Sequence, residues 1–110
     1  MKILINNKII AKKFCDCRYL KSLIGLRFRK SFKPYDAFII YMAPDSVLDS
    51  YFVNFEFIAA WTNVQGKVLK VETCKKSKFF HPAIGQARVY EFPADSKFKI
   101  KLGDKIEVRK

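Results

Sequence analysis

Between residues 34 and 63 the chain has no lysine and no arginine, although 22 of its 110 residues are basic and ten are acidic. It has one histidine, three cysteines, four glycines and four prolines. No glycine-rich phosphate loop and no paired-carboxylate motif occurs, so no ready constellation for phosphoryl transfer or acid–base hydrolysis is present. Cys15, Cys17 and Cys74 lack the paired short spacings of structural zinc sites. They read as small, reduced side chains; neither a metal nor a cofactor is expected. No apolar run reaches the ~20 residues that span a bilayer. The most hydrophobic region, Ala37 to Trp61, is broken by Pro44, Asp45, Asp49 and Glu56. Only "ILI" follows Lys2 before "NNK", too short for the apolar region of a signal peptide. The expectation is a soluble cytoplasmic protein with no membrane partner.

What is present points to one folded domain over residues 1–110. Half the residues are hydrophobic and 15% aromatic, with eleven Phe, five Tyr and one Trp, too apolar for a disordered chain. The net charge of +12 sits at the two ends: residues 1–33 hold ten bases and residues 64–110 hold twelve. Such a surface concentrates polyanions around it, and it also keeps a small domain soluble.

The pattern along the chain is mostly that of strands. "ILINNKIIA" reads as a hairpin turning at Asn6-Asn7. In "DCRYLKSLIG" the period changes: Leu20, Leu23 and Ile24 share a helical face, with Asp16 as N-cap and Gly25 as the closing glycine. "AFIIYM" is a buried strand. "SYFVNFEFIAAWTN" predicts one long strand with Tyr51, Val53, Phe55, Phe57, Ala59 and Trp61 on its core face. "KVLKVETC" and "QARVYEF" follow, the latter stopped by Pro93. "KFKIKLGDKIEV" alternates, with Phe98, Ile100 and Leu102 inward and a turn at Gly103-Asp104. The fold class expected is mostly β (α+β): a small barrel-like or strongly curled sheet with one short helix near residues 17–24.

This succession resembles the family known as domain of unknown function 192, in its short archaeal form. "GLRFRK" (Gly25 to Lys30) stands where that family has glycine-leucine-methionine-x-arginine after a short helix. "AFIIYM", "LDSYFVNFEFIAAW", "GKVLKV", "ARVYEFPAD" and the Gly103-Asp104 turn follow in the family's order. The likeness covers about residues 15 to 108. The family's His-Met is replaced by Asp49-Ser50, its Pro-Ile-Asp by Glu56-Phe57-Ile58 and its last glycine by Asp95. The resemblance implies a fold and no reaction.

Four candidate sites follow. The first is a basic group of Arg18, Lys21, Arg27, Arg29, Lys30 and Lys33 beside Tyr19 and Phe32, the residue types that hold phosphates and stack bases. The second is the stripe Lys97, Lys99 and Lys101, which would also suit an edge strand guarding against aberrant pairing. Together they predict a non-enzymatic binding domain for a polyanion, RNA or DNA backbone, without strong sequence preference. The third is Asn54, Glu56 and Arg29, which would either form a structural ion pair or line a pocket for a small anionic ligand, in a binding protein or a degenerate enzyme of the same fold. The fourth is His81, with no nucleophile or acid assembled around it in sequence except Cys74. Phe52 and Ile58, on the other face of the long strand, would leave an exposed apolar patch.

Overall fold

The computed structural model describes residues 1–17 and 29–110. Ten strands follow in order: β1 (Lys2–Ile5), β2 (Lys8–Ala11), β3 (Phe14–Cys17), β4 (Ala37–Tyr41), β5 (Leu48–Asp49), β6 (Phe57–Thr62), β7 (Val68–Cys74), β8 (Phe79–Phe80), β9 (Arg88–Pro93) and β10 (Ile106–Arg109). They form a five-stranded sheet in the order β3-β4-β9-β6-β7, a three-stranded sheet β10-β1-β2 and the short pair β5-β8.

Alternation across the large sheet sorts its residues to two faces. Ile39 of β4 is in register with Tyr90 of β9, and Tyr90 with Ala60 of β6. That face packs on Ile3, Ile5 and Ile106 of the three-stranded sheet, with Ala37, Val68 and Phe92 in the same cluster. The opposite face presents Phe38, Ile40, Phe57, Ala59, Trp61 and Val89, and it is covered by loops carrying Phe32, Val53 and Ala83 and by the short β5-β8 pair carrying Leu48 and Phe80. One layer is therefore regular and the other is a lid of loops. Gln86 fastens part of that lid: its side-chain amide donates to the carbonyls of Ala43 (2.7 Å) and Ser46 (2.9 Å), and its side-chain oxygen accepts from the Ala83 N–H (3.0 Å).

Several expectations hold. The hairpin turns at Asn6 and Asn7, both at positive φ (49° and 71°), the region that Asn tolerates best among residues with a side chain. "AFIIYM" supplies the buried β4, and Pro93 ends β9. Gly103 turns the chain at φ +89°, and Asp104 stabilises that turn by accepting hydrogen bonds from the Lys101 N–H (2.8 Å) and the Asn6 side chain (3.1 Å). Those bonds hold the Asp104 carboxyl below its ordinary range.

Other expectations are corrected. The large sheet is not closed into a barrel: β3 and β7 are its two edges and do not pair with each other. The long aromatic strand begins only at Phe57, because its ladder partners run out there; Phe57 is opposite Cys74 and Pro93, and proline has no N–H to give. Segment 97–102 keeps its alternation without becoming a strand. Phe98 packs edge-on to Phe92 (5.0 Å between centroids), but the backbone has no neighbouring strand, and Leu102 is 71% exposed rather than inward. The helix expected near residues 17–24 falls, after Cys17 at the end of β3, outside the described residues. Among the described residues no helix is long and apolar enough to cross a membrane.

Gly66 and Gly103 share φ +89° and separate two causes of glycine dependence. A Cβ on Gly66 would run into the Ile106 carbonyl oxygen, and Gly66 also accepts the Ile106 N–H (2.8 Å). At Gly103 nothing lies within 4 Å. Gly103→Ala should cost only the backbone term, about 1–2 kcal/mol. Gly66→Ala should cost clearly more, read as the difference in chemical denaturation free energies.

Candidate functional site

The loop-covered face carries two adjoining features, joined by residues 50–56. The first is organised by Ser50, which is fully buried. Its hydroxyl donates to the Lys75 carbonyl (2.5 Å) and accepts from the Lys78 N–H (2.9 Å). Its own N–H donates to the Lys78 carbonyl (2.8 Å), and its carbonyl accepts from Ser77 (3.3 Å) and Val53 (3.2 Å). A serine suits this position because one small hydroxyl is both donor and acceptor. The result is that the lysine-rich loop 75–78 is pinned against the turn at Tyr51-Phe52.

That junction displays rings and cations together. Tyr51 and Phe79 pack at 4.9 Å between centroids, 47° apart in plane. Phe79 is 69% exposed and Phe52 66%. Phe52 has φ +66°, a conformation L side chains rarely adopt, in the turn closed by the Val53 N–H to Ser50 bond. Lys75, Lys76 and Lys78 are exposed on the loop that Ser50 ties to this turn. Sequence reading treated Tyr51 as core and left "KKSK" out of every candidate site. The signal available was the run of three lysines directly before Phe79-Phe80.

The second feature is a cavity of about 610 Å³ between segment 30–35, residues 55–56 and the turn Pro93–Asp95. Phe32, Tyr35 and Phe55 line it, and the rings brace one another: Phe32 lies 5.4 Å from Phe55 and 5.6 Å from Phe38, and Tyr35 lies 5.4 Å from Phe38. Lys30, Lys33, Glu56 and Asp95 supply its charged lining. Arg29 shapes the wall from behind. Its guanidinium donates to the carbonyls of Lys33 (2.9 Å) and Ser31 (3.4 Å) and lies over the Phe38 and Tyr35 rings, 5.2 and 5.6 Å from their centroids. Asn54 ties the two features together by donating to the Arg29 carbonyl (3.2 Å).

The sequence-predicted residues are thus redistributed. Arg18, Lys21 and Arg27, with Tyr19, lie outside the described residues. Lys30 and Lys33 are exposed at the cavity, while Arg29 is committed to the loop and makes no ion pair with Glu56. Asn54 meets Arg29 through its backbone, and Glu56 is an exposed loop residue, not a strand residue. Lys97, Lys99 and Lys101 are exposed, but Phe98 and Ile100 between them pack on the cluster under the three-stranded sheet, whereas Phe32 belongs to the loop-covered cluster. The two basic stretches are anchored over opposite faces of the large sheet. Ile58 is half-buried and Phe52 alone of that pair is strongly exposed.

The thiols do not gather. Cys15 and Cys17 alternate onto one face of β3 with their sulfurs 3.3 Å apart, while Cys74 ends β7 at the opposite edge of the sheet. His81 is exposed, and its carbonyl accepts from the Lys70 ammonium (2.8 Å), which also lies 4.6 Å from the Trp61 ring centroid. Among the described residues no group of three or more His, Cys, Asp or Glu is placed to hold a metal ion. Burial, reinforced by Cys15 and by the Glu91 carboxylate, pushes the Cys17 thiol far above its ordinary range; burial and then Glu91 do the same to Cys74.

Alkylation by iodoacetamide near pH 8 should therefore modify at most Cys15 in the folded protein and all three cysteines after denaturation, as counted by mass spectrometry. Ser50→Ala leaves the Lys78 N–H without its acceptor and should lower stability by about 1–3 kcal/mol in denaturant melts.

No family model matches the chain, and no curated protein matches it. Among solved structures it is similar to the crystal structure of a protein of unknown function from Novosphingobium aromaticivorans DSM 12444. The TM-score is 0.82 at 14% identity, over 98% of this chain and 84% of that one. Likeness at that identity shows the fold alone.

Proposed function

We propose that this protein is a small binding domain for single-stranded nucleic acid, engaged without strong sequence preference on the loop-covered face. The observation that carries the reading is the junction held by Ser50, where exposed Phe52 and Phe79 stand among Lys75, Lys76 and Lys78. Single-strand binders need cations along the backbone and ring faces on which bases stack. A duplex hides its base faces, so the rings favour the single strand. The net charge of +12 supplies long-range attraction to the same partner. The stripe Lys97, Lys99 and Lys101, over the other face, contributes to that field rather than to the contact. The resemblance to domain of unknown function 192, carried among described positions by Arg29, Pro93-Ala94 and Gly103-Asp104, stays a proposal of shared fold.

The test is fluorescence anisotropy with a labelled single-stranded RNA and a duplex of equal length, across a salt series. The single strand should bind more tightly. Replacing Lys75, Lys76 and Lys78 by Ala should flatten the salt dependence by about two log units of slope, near 0.7 per phosphate contact on a single strand. Phe79→Ala should weaken binding by about 1–3 kcal/mol. Phe52→Ala should likewise weaken binding by about 1–3 kcal/mol. Equal affinity for the duplex, together with unchanged binding by both Phe variants, would mean a charged surface and nothing more.

A further inference from the structure

We infer that the cavity floored by Phe32, Tyr35 and Phe55 is a nucleotide pocket that takes one unstacked base of the strand, with preference for guanine; the inference rests on the binding reading above. Three features of the cavity match three parts of a nucleotide. The first is the flat apolar surface. Phe32 is fixed by edge-on and tilted contacts to Phe38 and Phe55, and Tyr35 by its contact to Phe38. Tyr35 and Phe55 remain half-buried, so ring surface is offered to the cavity without having to be uncovered. The volume of about 610 Å³ lies within the range of small-molecule sites.

The second match is the phosphate. Lys30 and Lys33 border the cavity, and among the described residues nothing pairs with either ammonium group. Their backbone is held in place by the Arg29 guanidinium, which bonds the Ser31 and Lys33 carbonyls, so the two cations stand on a shaped loop. Arg29 itself is spent on that loop and on the rings, and it is a positioning residue here.

The third match is the base edge, and it sets the preference. Glu56 and Asp95 border the same cavity, and among the described residues neither is ion-paired. A carboxylate is an acceptor with two oxygens and has no proton to offer. Guanine presents two adjacent N–H donors on one edge, which one carboxylate can take in parallel; uracil presents carbonyl oxygens on both sides of its single N–H, which a carboxylate repels. Carboxylates near a purely anion-binding site would only weaken it, so their presence beside the lysines argues for a ligand with both an anionic end and a donor edge.

The position of the pocket fits the strand. The Phe52 and Phe55 backbones are three residues apart, a span of at most about 11 Å. The same loop thus borders the ring-and-lysine junction at one end and the cavity at the other, and Asn54 holds it to the Arg29 carbonyl between them. A strand lying over Phe52 and Phe79 has its next bases within reach of the pocket.

The experiment is calorimetric titration of the full chain with guanosine 5′-monophosphate, uridine 5′-monophosphate and inorganic phosphate. The guanine nucleotide should bind about tenfold more tightly than the uracil nucleotide, since the carboxylate accepts from guanine's paired donors and faces carbonyl oxygens on uracil. Glu56→Gln should bring the two to near equality, and Lys30→Ala with Lys33→Ala should weaken both. Thermal melts check that these exposed substitutions leave folding intact. Equal binding of the two nucleotides, or full displacement of the guanine nucleotide by inorganic phosphate at similar concentration, would overturn the pocket. The variant lacking Lys75, Lys76 and Lys78 separates the two readings. It should weaken strand binding yet keep guanosine monophosphate at unchanged affinity. If the nucleotide binds and no strand does, the strand reading falls and the pocket stands; if strands bind and the nucleotide does not, the reverse holds.

Discussion

Everything in this fold depends on β9 being covered on both edges and both faces. It pairs with β4 on one side and β6 on the other, and Val89, Tyr90, Glu91 and Phe92 are all buried. Successive side chains of a strand point to opposite faces, so four consecutive buried residues require a layer above and a layer below. Tyr90 and Phe92 demand the three-stranded sheet, and Val89 demands the loop layer. The parallel pairing of β3 with β4 adds a second requirement, because parallel neighbours need a long connection; in its described part, 29–36, Phe32 and Tyr35 pack on the loop-covered face.

That asymmetry explains where a site can form. The three-stranded sheet satisfies its own backbone groups and leaves little choice of shape. The loop layer has only the short β5-β8 ladder, so most of its polar groups must be satisfied one by one, as Ser50 and Gln86 do with buried side chains. Each such residue fixes two distant loops together: Ser50 joins 50–53 to 75–78, and Gln86 joins 43–46 to 83–86. Rigid loops with exposed rings and cations follow from the same bonds.

The regular half of the molecule was legible from sequence because its signals are local. Asn6-Asn7, the apolar run of β4, Pro93 and Gly103 each act within a few residues. The loop-covered half was not, because its deciding partners are far apart along the chain. Nothing near Ser50 indicates that its hydroxyl will serve Lys75 and Lys78. Nothing near Arg29 indicates that its guanidinium is used up by Ser31 and Lys33 rather than by Glu56. The alternation of 97–102 misled for a related reason: period-two burial describes which side chains face in, whereas a strand also needs a neighbour to bond. Of the candidate site, Lys30, Lys33, Phe32, Asn54 and Glu56 were named and Phe52 was read as exposed, whereas Tyr51 and Phe55 were taken for core.

The stretch without lysine or arginine, 34 to 63, now has a physical account. Its buried parts, β4 and β6, cannot hold unpaired cations. Its loop, however, is exposed, and charge there would be allowed: Tyr51, Phe52, Asn54 and Glu56 all reach solvent. That loop runs between two basic banks, Lys30 and Lys33 beside the cavity and Lys75, Lys76 and Lys78 at the junction. A cation between them would repel both banks and would occupy the surface the rings now hold. Tyr51, Phe52 and Phe55 in that gap give an apolar, ring-rich strip bordered by positive charge on two sides. Such a strip is better matched to flat bases joined by phosphates than to a small inorganic anion, which would gain nothing from the rings.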